Sequence, residues 1–503
     1  MASESITRRT LIKRLSCLAA GSATWAGLSN RTQAQPAEDR RFLIVLTASG
    51  GASLIDAFLA IRASESSNAA RLNTFPDDAV QDIPGSPLRA VDLSASALGA
   101  LPVPFAANQS SFVRKHSADM LVVTQTGTSV NHAVAQRRAI TGNEAWAGRT
   151  LQECVAAQYG TNLLLPNILA AASTGFIDRG NDPSIPSHAR GELVAEPALW
   201  PLSLDGSKGI KGAPRRQVIE MARRLRNDRL EPASPFVRRF SQSSKLEAWR
   251  SNRSMMPTLE TADLISKLMF LPESSKYPLS AYGLQSANRT YPLAEYFAHF
   301  ESDPLEAQAA LAFLLLASGV SATVTIGPSF NGRLAEGVDL NQPGGLQLGD
   351  LVNPPIAFDF SHQSHRATQA FMWDRILKIA DGLIQLLKGV ELANGISMWD
   401  RTMIYVATDF GREKVRPPNA EGFGSSHDLN NGYLIISPMA RGNTVLGGVD
   451  PQTGLTFGFD PITGAPDRGR TMTEAEIFSG LLEIMNIDKS GANLPPMPAM
   501  RRS

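Results

Sequence analysis

The chain of 503 residues contains only two cysteines, Cys17 and Cys154. So few thiols exclude a disulfide scaffold, an iron–sulfur cluster and a cysteine-ligated zinc site. Cys17 lies in an N-terminal segment that we expect to be removed on export. The remaining chain would then keep one thiol, which excludes an internal disulfide and cysteine-based redox chemistry.

Several other features of common protein classes are missing. Lys and Arg number 48 and Asp and Glu 47, so the net charge of +1 lacks the basic excess of a nucleic-acid-binding protein. No G-x-G-x-x-G follows the first predicted strand, which argues against a nicotinamide or flavin enzyme. No apolar run reaches the roughly 20 residues of a bilayer span, so we expect no transmembrane segment in the mature protein.

The composition is that of a folded protein. Hydrophobic residues make up 43% and charged residues 19%, which is enough apolar material for a sizeable core. The length fits about three domains, or one large α/β domain with insertions.

The first 34 residues have the pattern of an export signal. Arg8 and Arg9, followed by Leu11 and Lys13, resemble the twin-arginine motif, and a short apolar run at 15–28 follows. We therefore expect a signal peptide at 1–34, the twin-arginine translocase as an export partner, and a periplasmic or secreted protein. Proteins exported by this route fold first, often with a metal or cofactor bound.

Strands and helices alternate along the rest of the chain, from residue 40 to 503. This alternation predicts one α/β domain with a mostly parallel central sheet flanked by helices. Buried strands are predicted at 41–47, 120–125, 321–326, 402–408 and 433–437, and helices at 132–141, 304–318, 366–390 and 473–487. A polar, arginine-rich stretch at about 180–300 predicts a helical insertion, and a Gly- and Pro-rich stretch at 328–355 predicts a loop insertion.

Polar residues follow several of the predicted strands, at the edge of a parallel sheet where ligands bind. His and carboxylate side chains at such positions suit Zn²⁺, Mn²⁺ or Ca²⁺ and metal-assisted ester hydrolysis. The candidate metal ligands are Asp359, His362, His365, Asp409 and His427. Each has an ordinary alternative, because the histidines could be structural and Asp409 could pair with Arg412.

Five segments in order resemble the domain of unknown function 1501 family, which belongs to the alkaline phosphatase and sulfatase-like superfamily. The resemblance covers both ends of the chain after the signal peptide and is weak through 145–300. The segments are SGGASLIDAF (49–58), TGTSVNHAVAQRRAITG (126–142), the helix at 365–391, ATDFGRE (407–413) and SSHDLNNG (425–432). The resemblance implies an alkaline phosphatase-like fold with a hydroxyl or thiol nucleophile after an early strand.

The same resemblance implies roles for individual residues. Asp409 matches a metal-binding Asp, His427 the late metal-binding His, and His362 or His365 the His of a D-T-H motif. The family's Ser before His132 is Asn131 here, which cannot attack, so Ser129 becomes the candidate nucleophile. His132 and Arg412 complete the candidate catalytic residues, with Arg412 binding an anionic substrate oxygen.

Two functions from different classes stay open. The first is an exported, metal-dependent hydrolase of a phosphate or sulfate ester, acting on a small anionic ester or a polymer. The second is a non-catalytic binding or structural protein on the same fold, in which the altered motifs have degraded the metal site. In the second, the insertion at about 180–300 binds a partner or polymer.

Overall fold

The computed structural model describes residues 39–92, 109–171, 175–204, 214–254, 261–328, 333–334, 351–352, 357–420 and 422–502. The predicted signal peptide at 1–34 and most of the predicted loop insertion at 328–355 lie outside these residues.

An eight-stranded sheet forms the centre of the protein. In chain order its strands are β1 (Phe42–Thr47), β2 (Met120–Thr126), β3 (Asn167–Leu169), β4 (Glu192–Leu193), β5 (Thr323–Ile326), β6 (Thr402–Ala407), β7 (Asn430–Ile436) and β8 (Thr444–Leu446). Their order across the sheet is β8-β2-β7-β6-β1-β5-β3-β4. Only β7 among these eight runs antiparallel to its neighbours, so the sheet is mostly parallel.

Several helices begin at a side chain that caps their first turn. Asn131 caps the helix that begins at His132, Thr150 the helix that begins at Leu151, and Asp303 the helix that begins at Pro304. Among the described residues outside 196–294, the helices of eight or more residues are α1 (Gln109–His116), α2 (His132–Thr141), α3 (Leu151–Tyr159), α8 (Pro304–Ala317), α9 (His365–Lys388) and α10 (Glu474–Ile484). The labels α4 to α7 are used for the helices within 196–294.

Both faces of the sheet are buried. On one face Leu43 and Val45 of β1 pack in a core cluster with residues of α2, α3 and α10. The alternate residues Phe42, Ile44 and Leu46 are equally inaccessible, as expected when helices cover both faces. The architecture is α/β and is compatible with an alkaline phosphatase-like fold, which confirms the predicted fold class.

The two longest helices of the described residues, α8 and α9, are joined by ion pairs across their interface. The almost completely buried α8 contains one carboxylate in its interior, Glu306, which pairs with Lys378 of α9 at 2.7 Å. Asp303, at the start of α8, pairs with Arg375 at 2.5 Å. Charged groups in this apolar layer are thus partnered, as burial requires.

The chain divides into two compact units. The described parts of Met1–Ala195 and Glu295–Ser503 form the first, here called the sheet unit, and Glu196–Ala294 form the second, here called the helical unit. The helical unit falls within the region predicted as a helical insertion. Its helices are α4 (Arg216–Leu225), α5 (Pro235–Arg239), α6 (Ser244–Ser254) and α7 (Leu264–Leu268), with a π-helical turn at Arg226–Leu230 followed by Glu231–Ala233.

Among the described residues, no helix combines the length and the apolar character needed to cross a membrane.

Cys154 provides a test of the packing of α3. Its side chain is buried in the core, and burial raises the pKa of its thiol to about 12. We expect Cys154 to react with an aromatic disulfide reagent at pH 8 about 100-fold more slowly in the folded chain than in guanidinium chloride. The measurement uses a Cys17→Ser variant, with Cys17→Ser/Cys154→Ser as the blank. Fast labelling of the folded chain would show that α3 does not pack as described.

Candidate metal centre

The loops that hold the candidate residues meet at one edge of the sheet because of the strand register. β1 and β6 pair in parallel with Thr47 opposite Ala407, so both end at the same level. β7 runs the other way, and its first residue, Asn430, pairs with Thr126 at the end of β2. Residues that precede β7, including His427, therefore lie at the same edge as residues that follow β1, β2 and β6.

Three side chains at this edge form a group that could hold a metal ion. One ligand atom from each of His132, Asp359 and His427 lies within 4.8 Å of the other two. Oδ1 of Asp359 is 3.3 Å from Nε2 of His132 and 3.5 Å from Nε2 of His427. The three residues come from α2, from the 3-10 turn at Phe358–His362 and from the two-residue strand His427–Asp428 that precedes β7, so only the folded unit assembles them.

His362 lies at the rim of this group. Its Nε2 is 3.4 Å from Oδ1 of Asp359 and 2.9 Å from Nε2 of His427. Its side chain is 39% exposed, more than that of any of the three grouped residues. His362 is therefore placed to be a fourth ligand or a hydrogen-bond partner of His427.

The environment of His427 determines which ring nitrogen is available. Nδ1 lies 2.9 Å from the carbonyl oxygen of Val130, to which it can only donate. The neutral ring then presents an unprotonated Nε2 to Asp359. Burial and the nearby Arg412 lower the pKa of His427, and the same two causes lower the pKa of His362, so both rings are neutral near pH 7.

His132 is oriented from behind by Asp409. Its Nδ1 lies 2.8 Å from Oδ2 of Asp409, which directs Nε2 towards Asp359. Although burial opposes the charged form, hydrogen bonds to Asp359 and Asp409 raise the pKa of His132 to about 9. A carboxylate behind a histidine in this way is the usual support of a metal-binding imidazole.

Asp409, predicted to be a metal ligand, contacts the backbone as well as His132. The N–H of Gly50 donates to both its oxygens, at 3.1 and 3.0 Å, and the amide of Gln136 lies 3.4 Å from Oδ2. Asp409 is thus held between the loop that follows β1, which contains Gly50, and α2. A direct role as a ligand stays a prediction.

Arg412 is buried, and its guanidinium links three backbone carbonyls to the carboxylate of Asp359. Its guanidinium donates to the carbonyl oxygens of Gly50, Phe358 and Ser425, and Nη2 lies 2.8 Å from Oδ1 of Asp359. Although burial opposes ionisation, His132 and Arg412 hold the pKa of the Asp359 carboxyl well below its usual value. Asp359 is therefore ionised near neutral pH. The predicted contact of Arg412 with substrate stays a prediction.

His365 lies apart from the group, in a separate buried network. Its Nε2 is 3.0 Å from Oδ2 of Asp56 and its Nδ1 is 2.7 Å from the hydroxyl of Ser425. The amide of Asn73 also donates to both oxygens of Asp56. His365 and Asp56 are almost fully buried and each has hydrogen-bond partners, so this pair is a structural polar contact beneath the loops at this edge of the sheet. Of the two histidines near the predicted D-T-H position, only His362 reaches Asp359.

Ser129 lies in the loop between β2 and α2. Its hydroxyl oxygen accepts a hydrogen bond from the N–H of Asn131, two residues on, at 3.2 Å. The side chain of Asn131 in turn accepts from the N–H of Val134 as the cap of α2. Asn131 at this position therefore has a structural function as a helix cap, and the nucleophilic role of Ser129 stays a prediction.

Three contributors to the site were not predicted from the sequence. The carbonyl of Val130 and the N–H of Gly50 are backbone groups, which no motif of side chains signals. The ring of Phe410 packs 4.1 Å from that of His427 and 4.7 Å from that of His132, measured between centroids. The position of Phe410 directly after Asp409 is the one sequence signal that points to it.

The distances from Oδ1 of Asp359 to the three neighbouring histidines fit a small cation. Atoms bound about 2.0–2.1 Å from a tetrahedral zinc ion are about 3.3 Å from one another. The separations of Asp359 Oδ1 from His132, His362 and His427 are 3.3, 3.4 and 3.5 Å. His132, Asp359 and His427 could therefore hold a metal ion, which supports the prediction that a divalent metal is possible.

Comparison with known families gave no matching family model, and comparison with curated proteins gave no match either. The resemblance to the domain of unknown function 1501 family stays a prediction that rests on the motifs.

Gly50 is required at its position for two reasons. Its φ is +99°, and a Cβ there would lie 2.1 Å from the backbone nitrogen of Asp359. We expect Gly50→Ala to lower the free energy of unfolding by about 2–4 kcal/mol, from the positive φ and the overpacking together. Gly85→Ala is the matched control, since Gly85 has φ +74° and a Cβ there would meet nothing within 4 Å, and it should cost about 1–2 kcal/mol. Equal losses in urea unfolding would contradict the close approach.

His365 should be structural. We expect His365→Ala to lower the free energy of unfolding by about 3–5 kcal/mol, because it leaves the buried Asp56 carboxylate without its main partner. The exposed His299 provides a control, and His299→Ala should change stability by less than about 0.5 kcal/mol. Loss of bound metal in His365→Ala without a loss of stability would instead support the predicted ligand role.

The stabilisation by this pair has a defined pH dependence. Although burial opposes ionisation, His365 holds the pKa of Asp56 below its usual value. A lowered carboxyl pKa stabilises the fold above the unfolded value, and this stabilisation disappears as the pH falls through the lowered value. The stability difference between the wild-type chain and His365→Ala should therefore shrink in acid.

Proposed function

We propose that this chain is an exported, metal-dependent hydrolase of phosphate or sulfate esters, of the kind that the resemblance to the alkaline phosphatase-like superfamily implies. The observation that carries the proposal is the convergence of His132, Asp359 and His427 within 4.8 Å at the ligand-binding edge of the sheet. Export by the twin-arginine translocase to the periplasm or the medium is part of the proposal and rests on the N-terminal pattern.

The donor set favours a borderline transition metal. Two or three imidazoles with one carboxylate suit Zn²⁺ better than Ca²⁺, which prefers an all-oxygen shell. Mn²⁺ remains compatible because it accepts both donor types. We propose Zn²⁺ or Mn²⁺, held by His132, Asp359 and His427, with His362 as a further ligand.

A bound ion would supply Lewis acidity towards an ester oxygen and a more acidic water at neutral pH. The chain's own residues would position the reaction around it. Asp409 orients the ring of His132, and the carbonyl of Val130 orients the ring of His427. His362, neutral and at the rim, would accept a proton in the form of the site in which its Nε2 does not bind the ion.

Arg412 supports the site as a positioning residue in this proposal. Its donors are directed at three backbone carbonyls and at Asp359, so a substrate oxygen would have to displace one of these contacts. We propose that the positive charge of Arg412 acts on the site indirectly, by keeping the neighbouring Asp359 carboxylate ionised. In this proposal the hydroxyl of Ser129 attacks the ester. The alternative is that a water molecule attacks, which needs no side-chain nucleophile.

A second candidate, a non-catalytic binding protein with a degenerate site, has one observation in its favour. Oδ1 of Asp359 is already paired with Arg412 and faces His132, whose pKa is raised. The cluster is thus balanced in charge even without a cation.

Metal content separates the two candidates. We expect about one Zn²⁺ or Mn²⁺ per chain by mass spectrometry of protein purified without chelator. Asp359→Ala and His427→Ala should lower this content about tenfold or more, together with hydrolysis of aryl phosphate or aryl sulfate, because each removes one of the proposed ligands. His299→Ala, which replaces an exposed histidine away from the cluster, should retain the metal.

The opposite result is equally informative. A well-folded chain that carries no stoichiometric metal, and whose melting temperature is unchanged by a chelator, would reject the hydrolase and leave the binding protein.

A further inference from the structure

The helical unit carries an unusual concentration of exposed apolar side chains. Of the sixteen large apolar side chains that are exposed in the described residues, seven lie between positions 218 and 249. They are Val218, Met221, Leu225, Leu230, Phe236, Phe240 and Trp249. Soluble surfaces carry such residues singly, so a group of this size marks an interaction surface.

The first four of these residues form a stripe along one helix. Val218, Met221 and Leu225 are spaced i, i+3 and i+7 on α4 and are 54%, 69% and 52% exposed. A π-helical turn, with i to i+5 hydrogen bonds, follows at Arg226–Leu230. This turn places Leu230 roughly one helical turn after Leu225, on the same side of the helix. In a regular α-helix a residue five positions on would point to a different side, so the π-helical turn continues the stripe.

The same stretch also exposes aromatic residues. Phe236 of α5 and Phe240, which directly follows α5, contact each other, with ring centroids 4.9 Å apart. Trp249 on α6 is 54% exposed and lies under the guanidinium of Arg253, at 4.3 Å. Exposed Trp and Phe beside arginines are typical of side chains that lie at a lipid–water interface.

The same stretch is strongly basic. Residues 214–254 contain eleven Lys or Arg and four Asp or Glu, a net charge of +7 in a chain whose total is +1. Two of the four acids are paired with arginines of the same stretch: Glu220 with Arg216, and Glu231 with Arg250 and Arg253. The charge that faces outward is therefore predominantly positive.

We propose that this basic apolar surface, residues 214–254, binds an anionic lipid membrane, with α4 lying in the plane of the interface. An amphipathic helix with arginines beside an apolar stripe binds in this way by inserting its apolar face and pairing its charges with lipid headgroups. The site is independent of the metal centre, so failure of either proposal leaves the other intact.

Charge complementarity selects the membrane over other occupants. A second copy of the chain would bring +7 against +7, which opposes pairing of the two surfaces. A nucleic acid would neutralise the arginines but leave the stripe of Val218, Met221 and Leu225 in water. A fluid lipid interface accepts separate rings and methyl groups without a preformed pocket, and its headgroups supply the negative charge.

Vesicle co-sedimentation of the full chain tests the proposal. We expect binding to vesicles of phosphatidylglycerol and phosphatidylcholine, at least about tenfold weaker binding to phosphatidylcholine alone, and loss of binding at high salt. Met221→Gln/Leu225→Gln should weaken binding about tenfold, and Arg224→Gln/Arg229→Gln about fivefold per charge. All variants keep the same N-terminus, so the apolar run at 15–28 contributes equally.

Leu455→Gln/Ile462→Gln is the matched control, because it replaces two exposed apolar residues of the sheet unit and should leave binding unchanged. Unchanged melting temperatures would show that the variants fold. Equal binding of the control and the α4 variant, or equal binding to neutral and anionic vesicles, would overturn the proposal. An absence of vesicle binding would also overturn the proposal. This includes the case in which α4 mediates self-association or binds an acidic protein instead of a membrane.

Discussion

A closed ring of polar contacts determines the geometry of the candidate site. Arg412 joins the carboxylate of Asp359 to the carbonyl of Gly50, and the N–H of Gly50 holds Asp409. Asp409 holds His132, whose other nitrogen returns to Asp359. Each member is oriented by two others. Hydrogen-bonded networks of buried polar groups make a structure rigid. The arrangement of these side chains can therefore be kept without a bound ion.

The topology of the sheet decides which residues enter that ring. Parallel strands deliver their following loops to one edge, which accounts for Gly50, His132 and Asp409. His427 precedes its strand and reaches the same edge only because β7 is antiparallel. One reversed strand thus places a late histidine beside early residues of the chain.

Much of this could be predicted from the sequence. Continuous apolar runs predicted β1, β2 and β6, because strands buried on both faces have no alternation to obscure them. The positions of His427 and Asp359 near the sheet edge followed from the same reasoning. The separation of His365 from His362 could not be predicted, since a spacing of three residues does not show that a 3-10 turn ends and a helix begins between them. Backbone partners such as Val130 were also beyond prediction, because every residue carries the same carbonyl group.

The contacts of the ring connect positions that are very distant along the chain. Gly50 and Asp409 are 359 residues apart, and His132 and Asp409 are 277 apart. Closing loops of this size costs conformational entropy that only the surrounding core can offset. The centre therefore cannot form in a fragment or in a nascent chain that lacks β6. Its assembly requires that β1, β2 and β6 have come together, so occupancy of the site would be a measure of folding of the central sheet as well as of function.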